Sequence, residues 1–324
     1  METRTRRRPP PLPPEGDGGF SQSWYPVCLS SEVGAGQVIG ADFLGGRIVV
    51  MRGADGVAQA LSAYCPHMGA DLACGDVDGN ELRCAFHAWS FDRDGACTKT
   101  LVGDPVPARA KLFRFPTAER WGLVWAFNGE TPLYDVPGFD RADDELLFTS
   151  ERHWLLPCDP PCLVTNSVDV QHLVAVHGFD IDRPTHFESI EWTPYRVRSR
   201  VDAHVRESGV KLDWETVVFG TNAVRTTGMF GPRWLGTMTA FGIPAPGSAQ
   251  TYCITVTNKG GEDAAEFLAA AAEFQRGEIE KDSRIMQRIR FVQGTLTKSD
   301  RAVAEMLKHF REYPRAHQSA DYIA

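Results

Sequence analysis

Two pairs of cysteine and histidine residues stand at a spacing that suits a metal site. One residue lies between Cys65 and His67, two lie between Cys84 and His87, and sixteen separate the pairs. Two thiolates and two imidazoles can bind zinc, or a [2Fe–2S] cluster in which histidines replace the cysteines on one iron. Zinc sites usually pair cysteine with cysteine and histidine with histidine, whereas both pairs here are mixed. The mixed pairs therefore favour the iron–sulfur cluster over structural zinc.

A second group, formed by Asp169, His172 and His177, indicates a different metal site. Non-haem Fe(II) enzymes bind their metal with two histidines and one carboxylate, which leaves positions open for O₂ and substrate. Five residues correspond to a rotation of about 140° on a regular helix. The two histidines can therefore converge only if the helix is distorted or ends there, and Gly178 is a suitable terminator.

The third ligand is expected from a long helical pattern over residues 262–289. One face of this helix is apolar except for two carboxylates, and an unpaired carboxylate on a buried face is costly unless a metal binds it. The face consists of Phe267, Ala271, Phe274, Glu278, Asp282, Ile285 and Ile289. Asp282 and Glu278, which are one turn apart, are the two candidate ligands. The alternative is a helix phase that leaves Asp282 in solvent or in a salt bridge.

Length and composition exclude several classes of protein. A chain of 324 residues accommodates two domains, and a net charge of −8 argues against nucleic-acid binding. No stretch approaches the roughly 20 apolar residues of a membrane span. The first 20 residues are basic, then rich in proline and glycine, and they lack the apolar run of an export signal. We therefore expect residues 1–20 to be a disordered tail and the protein to be cytoplasmic.

The chain divides into a β-rich half and an α+β half. Residues 21–132 contain short strand patterns separated by glycine turns, at Gly45-Gly46, Asp55-Gly56, Asp78-Gly79 and Asp94-Gly95. Residues 129–138 are rich in proline and glycine and form a candidate linker. Residues 133–324 predict a sheet, with strands near 195–204, 213–219, 222–230, 236–243 and 250–257, and helices near 163–177, 262–289 and 299–312. The predicted class is α+β, with helices gathered at the ends of the sheet.

The Cys65-x-His67 and Cys84-x-x-His87 pairs resemble the Rieske domain of ring-hydroxylating oxygenases. The second group, Asn166-x-x-Asp169-x-x-His172-x-x-x-x-His177 with Asp282, is similar to the iron site of the same family. Ala88 departs from the pattern, which more often has glycine before the tryptophan. The resemblance is to the terminal oxygenase component, in the group of vanillate and dicamba demethylases, ketosteroid hydroxylases and saxitoxin-pathway hydroxylases. It implies a small all-β Rieske [2Fe–2S] domain followed by an antiparallel-sheet catalytic domain with helices, helix-grip-like.

The resemblance also implies cofactors and partners. One [2Fe–2S] cluster per chain would be held by Cys65, His67, Cys84 and His87, and one mononuclear Fe(II) by His172, His177 and Asp282. Asp169 would be catalytic without being a ligand. It would hydrogen-bond to His172 and, across a subunit boundary, to His87 of a neighbouring copy. The family pattern implies a homotrimer and a separate NAD(P)H-dependent reductase of the ferredoxin type, with no nucleic-acid or membrane partner.

The implied activity is a monooxygenase reaction, either hydroxylation or oxidative demethylation, on an aromatic, steroid or alkaloid-like small molecule. Large side chains in the predicted strands could roof the iron site, namely Trp214, Phe219, Met229, Phe230, Trp234, Met238 and Phe241. A cis-dihydroxylating dioxygenase would use the same metal ligands and stays an alternative. A Rieske electron-transfer protein would need only the first half of the chain, and the His172/His177 pair argues against it.

Overall fold

Short antiparallel strands joined by tight turns form the N-terminal half. The computed structural model describes residues 11–181, 190–292 and 294–323. The strands of this half are β1 (Phe20–Ser21), β2 (Trp24–Leu29), β3 (Gln37–Phe43), β4 (Gly46–Arg52), β5 (Ala58–Ser62), β6 (Asp76–Asp78), β7 (Glu81–Arg83), β8 (Ser90–Phe91), β9 (Cys97–Lys99), β10 (Thr117–Arg120) and β11 (Leu123–Phe127).

Three small sheets arise from these strands, in the orders β10-β11-β2, β3-β4-β5 and β6-β7-β8-β9. The predicted glycine turns are confirmed, since Gly45, Gly56, Gly79 and Gly95 all have positive φ. Leu44 shares the β3–β4 turn with Gly45 and also has positive φ, as the tightest hairpin turns require. The β7–β8 hairpin and the loop after β5 are the two segments that carry the Cys/His pairs.

One large antiparallel sheet dominates the C-terminal half, in the order β12-β19-β18-β17-β16-β15-β13, with β14 paired to β15. Helices precede β13 and follow β19. In chain order the elements are β12 (Leu146–Leu156), α1 (Pro160–Val164), α2 (Val170–Ala175), β13 (Phe179–Ile181), β14 (Glu191–Trp192), β15 (Arg196–Val205), β16 (Lys211–Phe219), β17 (Ala223–Phe230), β18 (Arg233–Gly242), β19 (Ala249–Asn258), α3 (Ala264–Met286), α4 (Arg301–Glu312), β20 (Arg315–Ala316) and α5 (Ala320–Ile323). The α+β prediction is confirmed.

The large sheet is covered on both faces. One face packs against the N-terminal half, where Trp24 and Trp125 meet Phe219 and Met238. The other face packs against helices, and α3 lies along β19 and β12. Because side chains alternate along a strand, consecutive residues of β16, β17 and β18 enter different environments. The predicted boundary at residue 132 falls between β11 and β12, and we propose it as the division between two domains.

The tail prediction is wrong for residues 11–20. Glu15 and Phe20 are both 2% exposed, and Glu15 accepts hydrogen bonds from the backbone and hydroxyl of Ser21. Arg315 donates to the carbonyls of Pro14, Asp17 and Gly19, while β1 pairs with β20. This segment is therefore anchored by residues about 300 positions away in sequence, which no local pattern reveals. Residues 1–10 lie outside the described part of the chain. Among the described residues, no helix has the length and apolar character needed to cross a membrane.

Candidate metal centres

The two Cys/His loops adopt the same backbone turn. In the first, the Gly69 amide donates to the Cys65 carbonyl at 2.8 Å, and the Cys65 amide donates to the Ala70 carbonyl at 2.9 Å. In the second, the Ala88 amide donates to the Cys84 carbonyl at 2.9 Å, and the Cys84 amide donates to the Trp89 carbonyl at 2.9 Å. The residue four positions after each cysteine has positive φ, 75° at Gly69 and 54° at Ala88. Both loops thus fold back on themselves and present their ligand side chains together.

The four predicted cluster ligands converge at one end of the N-terminal half. The rings of His67 and His87 have centroids 4.5 Å apart. The cysteines lie inward, at 3% exposure for Cys65 and 2% for Cys84, whereas His67 is exposed. Burial, with Cys84 close by, raises the pKa of the Cys65 thiol to about 11. A thiol with a raised pKa is a poor thiolate on its own, so the arrangement of Cys65 beside a second buried cysteine and two imidazoles suits a metal cluster that would draw off the proton.

Trp89 fixes one of the histidines, a role that the sequence pattern did not reveal. Its indole stacks on the His67 ring with centroids 4.4 Å apart and an interplanar angle of 7°. Trp89 follows the second Cys/His pair, whereas His67 belongs to the first. The contact therefore ties the two loops together and restricts rotation of the His67 imidazole.

Helix termination positions the two histidines of the second site. Asp169 caps the N-terminus of α2, accepting the backbone amide of His172 at 3.0 Å. The helix ends at Ala175, and Gly178 then has a φ of 67°. His177 consequently lies beyond the helix end and turns back towards His172, as the spacing predicted. The hydrogen bond predicted between Asp169 and His172 is thus made to the backbone amide of His172.

Asp282 completes a set of three converging donor atoms. The Nε2 atoms of His172 and His177 are 3.0 Å apart, and Asp282 Oδ1 lies 3.1 Å from the first and 3.4 Å from the second. Ligands at right angles on a metal at about 2.1 Å are about 3.0 Å apart. Oδ1 is buried and has no hydrogen-bond donor, because its contacts with the imidazoles lack hydrogen-bond geometry. An orphaned buried carboxylate oxygen facing two imidazole nitrogens fits a divalent cation.

Glu278, the alternative third ligand, takes a different position. Its Oε2 lies 2.8 Å from Nδ1 of His177, the ring nitrogen that faces away from the donor set. The three atoms that converge within the described part of the chain belong to His172, His177 and Asp282. The spacing of four residues places both carboxylates on the same face of α3, but only Asp282 reaches the centre.

Comparison with known proteins identifies the domain that contains the two Cys/His loops. Residues 23–113 match the Rieske [2Fe-2S] domain. The chain is 32% identical over 178 residues to cholesterol 7-desaturase nvd of Bombyx mori. The matched residues cover 54% of this chain and 38% of that protein. It is 30% identical over 191 residues to a probable 3-ketosteroid-9-alpha-monooxygenase oxygenase component of Rhodococcus rhodochrous, covering 55% of this chain and 45% of that protein. The chain is a homologue of Rieske oxygenase components.

Solved structures show the same fold over nearly the whole chain. Dicamba monooxygenase bound to dicamba superposes with a TM-score of 0.73 at 19% identity, covering 91% of this chain and 98% of that one. NdmA of Pseudomonas putida CBB5 with caffeine gives 0.70 at 19% identity, with 90% of each chain covered. At this identity the likeness establishes the fold alone. The chain spans less than half the length of the curated relatives it matches.

The backbone turn of the second Rieske loop leads to a stability prediction. Alanine in the left-handed region costs about 1–2 kcal/mol, whereas glycine adopts it freely but loses more entropy on folding. Ala88→Gly should therefore raise the thermal midpoint slightly, while Gly69→Ala should lower it by a few degrees. Loss of the cluster's visible absorbance on heating measures both. A lower midpoint for Ala88→Gly would show that its methyl group packs favourably enough to outweigh the backbone strain.

The iron site should bind metal in competition with protons. Burial opposes a charge on His177, but the Asp282 and Glu278 carboxylates outweigh it and raise the pKa of His177 to about 9. A metal ligand must be neutral, so at pH 7 a bound metal displaces one proton from His177. We expect the affinity for Fe(II) to rise about tenfold per pH unit up to pH 9 and then level off. Anaerobic chelator competition measures this, and a flat profile from pH 7 to 9 would contradict it.

A cavity of about 190 Å³ adjoins the three donor atoms. Its walls are mostly apolar, and they come from strands β12, β13 and β15–β18 and from helices α1, α2 and α3. Of the large side chains predicted to roof the site, Trp214 and Phe241 line it. The prediction is wrong for Phe219 and Met238, which lie on the opposite face of the sheet, and for Met229, which is 46% exposed. The strand pattern predicted the alternation but not which face held the cavity.

Proposed function

We propose that this chain is the oxygenase component of a Rieske monooxygenase that hydroxylates or oxidatively demethylates a small apolar molecule. In the overall reaction, a C–H bond, O₂, two electrons and two protons give C–OH and water. The observation that carries the proposal is the convergent, largely buried donor set of His172, His177 and Asp282, whose side chains are 9–17% exposed, beside an apolar cavity. An electron-transfer protein would have no use for this second site.

The residues have distinct roles in this proposal. Cys65 and Cys84 would bind one iron of the [2Fe–2S] cluster, and His67 and His87 the other. His172, His177 and Asp282 would hold Fe(II). The cluster supplies electrons one at a time, and the mononuclear iron supplies the centre at which O₂ is activated. The cavity walls orient the substrate against that centre and exclude water from it.

The cavity favours an uncharged substrate. Its ionisable lining residues are acidic or imidazole, and no Lys or Arg side chain lines it among the residues that the structure describes. Its polar groups include four hydroxyls, from Thr216, Thr226, Thr237 and Thr239. Thr216 and Thr226 already pair with each other at 3.2 Å. A carboxylate would find no Lys or Arg side chain to pair with in this described lining and would face Glu278, so we propose a neutral steroid-like or aromatic substrate.

Assembly into a head-to-tail trimer is the second part of the proposal. Met68 and Phe86, which stand directly beside His67 and His87, are 66% and 60% exposed. Apolar side chains around a redox centre suit a protein–protein contact. Cyclic closure would let the Rieske loops of one chain meet Asp169 of the next, whose cap leaves one carboxylate oxygen for the neighbour's His87. Electrons would come from a separate NAD(P)H-dependent reductase of the ferredoxin type.

Metal analysis and labelled oxygen test the proposed reaction. Anaerobically purified protein should contain about three irons per chain, two in the cluster and one mononuclear. With a ferredoxin reductase and NADH, uncharged steroids and aromatic ethers should stimulate O₂ uptake, and one atom of ¹⁸O₂ should enter the product. Zinc, or two irons per chain, would overturn the proposal. Two labelled atoms in a cis-diol would assign the dioxygenase alternative instead.

Matched substrate pairs test the charge preference separately. A methyl ester of methoxybenzoic acid and the free acid differ chiefly in charge. The ester should stimulate O₂ uptake more strongly than the acid. Uptake with the acid alone would reject the neutral-substrate proposal while leaving the enzyme class intact.

A further inference from the structure

Glu278 stands one helical turn before Asp282 and contacts the back of the metal site. Its side chain is 18% exposed, and its two oxygens have different partners. Oε2 lies 2.8 Å from Nδ1 of His177, and Oε1 lies 2.7 Å from Nζ of Lys281. The carboxylate is therefore held at both oxygens, between a cation on the solvent side and an imidazole on the buried side.

The protonation chemistry of histidine determines which atom donates the hydrogen bond between His177 and Glu278. A neutral imidazole has one N–H and one nitrogen lone pair, and a carboxylate can only accept a hydrogen bond. Pairing with Glu278 therefore requires the proton on Nδ1 of His177. The lone pair is then on Nε2, the atom that lies 3.0 Å from His172 Nε2 and 3.4 Å from Asp282 Oδ1. A carboxylate behind a metal-bound histidine also raises the basicity of that ligand.

We propose that Glu278 is a positioning residue that holds His177 as the Nδ1–H tautomer, with Nε2 directed at the iron, and that Lys281 orients the carboxylate. This inference rests on the proposed function, because it takes His177 as an iron ligand. Glu278 itself does not bind the metal.

The backbone around His177 explains why this histidine needs the support. His172 lies within α2, and its amide is fixed by the Asp169 cap. His177 follows the end of that helix and precedes Gly178, which has positive φ. Its ring is otherwise steadied by stacking on Phe179, with centroids 5.5 Å apart. Glu278 supplies the directional contact that the local backbone does not.

The helix α3 thereby sets two of the three ligands. Residues four apart lie on the same face of a helix, so Asp282 and Glu278 project towards the same site. Asp282 contributes its own oxygen, and Glu278 controls the nitrogen of a ligand from a different segment. A small displacement of α3 would disturb both contacts together.

Iron affinity in variants of Glu278 tests the proposal. Glu278→Ala should weaken Fe(II) binding by about 10–100-fold in anaerobic chelator competition, with the cluster's visible spectrum unchanged. Glu278→Gln keeps a carbonyl oxygen that can accept from Nδ1 and should retain most of the affinity. Glu280→Gln is the matched control, because Glu280 is 47% exposed and pairs with Arg284 on the outer side of the helix. With Co(II) in the mononuclear site, the visible bands should shift for Glu278→Ala and not for the control.

The outcomes separate this inference from the proposed function. Wild-type protein without mononuclear iron would refute the proposed function. Wild-type protein that binds iron, with Glu278→Ala within twofold of it, would overturn only the role of Glu278. Equal losses in Glu278→Ala and Glu278→Gln would also overturn the tautomer assignment. If Glu278→Ala does not fold, Glu278→Met replaces it, because methionine has a similar length but no strong hydrogen-bond acceptor. Fe(II) affinity should then be lower in Glu278→Met than in Glu278→Gln, and equal affinities would overturn the proposal.

Discussion

Replacing His172 with alanine should remove the mononuclear iron and abolish product formation, while the cluster keeps its visible spectrum. His172 Nε2 is one of three atoms that converge within 3.4 Å of one another, and the remaining pair cannot hold three positions of the metal. We expect Fe(II) affinity and turnover to fall at least about 100-fold, more than for a residue that supports a ligand indirectly. Iron analysis and O₂-dependent product formation measure the two effects.

His153→Ala is the control for this experiment. His153 lies on β12, where it contacts Glu151 and stacks on Trp154, away from the three donor atoms. It should keep all of its iron. Loss of the cluster together with the mononuclear iron in His172→Ala would mean that the two sites do not fold independently.

Replacing Asp169 with asparagine should leave both metal centres in place and reduce coupled turnover at least about 100-fold. Asparagine caps helices as well as aspartate does, so the bond to the His172 amide and the geometry of α2 should survive. What asparagine lacks is the carboxylate charge that we propose to meet the neighbour's His87. Asp169→Ala removes the cap as well and should additionally lower the thermal midpoint.

Stopped-flow oxidation of the pre-reduced cluster distinguishes these effects. In Asp169→Asn the cluster should reduce normally but reoxidise slowly in the presence of substrate and O₂. Wild-type reoxidation and product formation in this variant would remove Asp169 from the electron path and leave it as a helix cap.

Subunit mixing tests whether the path crosses between chains. In a head-to-tail ring, a chain with Asp169→Asn still offers an intact cluster, and a chain with Cys84→Ser still offers an intact Asp169 and iron site. Mixed rings of two inactive variants should therefore recover part of the activity. No recovery in rings shown to be mixed would place electron transfer within one chain.

Local patterns were sufficient to predict much of the secondary structure. The strands predicted at 213–219 and 222–230 are found at Lys211–Phe219 and Ala223–Phe230, and the helix predicted at 262–289 spans Ala264–Met286. These elements have strong periodicity, and their ends carry turn residues. Residues 11–20 could not be predicted in the same way, because their order comes from Arg315 and β20 at the other end of the chain.

In the site, too, some features follow from the local sequence and others depend on tertiary packing. The termination of α2 before His177 follows from the spacing and from Gly178. The choice between Asp282 and Glu278 does not, because both lie on one face of α3. Only the three-dimensional structure shows that Asp282 faces Nε2 of His172, whereas Glu278 contacts Nδ1 of His177. Likewise, the alternation of large residues in β16 and β18 was evident, but the face that holds the cavity depends on what each side of the sheet packs against.

The two-faced sheet has a consequence for how new specificities could arise. Thr216, Thr226 and Thr237 belong to three neighbouring strands and border the cavity, while Val217, Arg225 and Met238, adjacent to them in sequence, point the other way. If the proposed function is correct, evolution can exchange the hydroxyl positions one by one and so change which substrates fit the cavity. The residues between them pack against the N-terminal half, which would hold the cluster, and they need not change. The substrate range and the supply of electrons could therefore diversify separately.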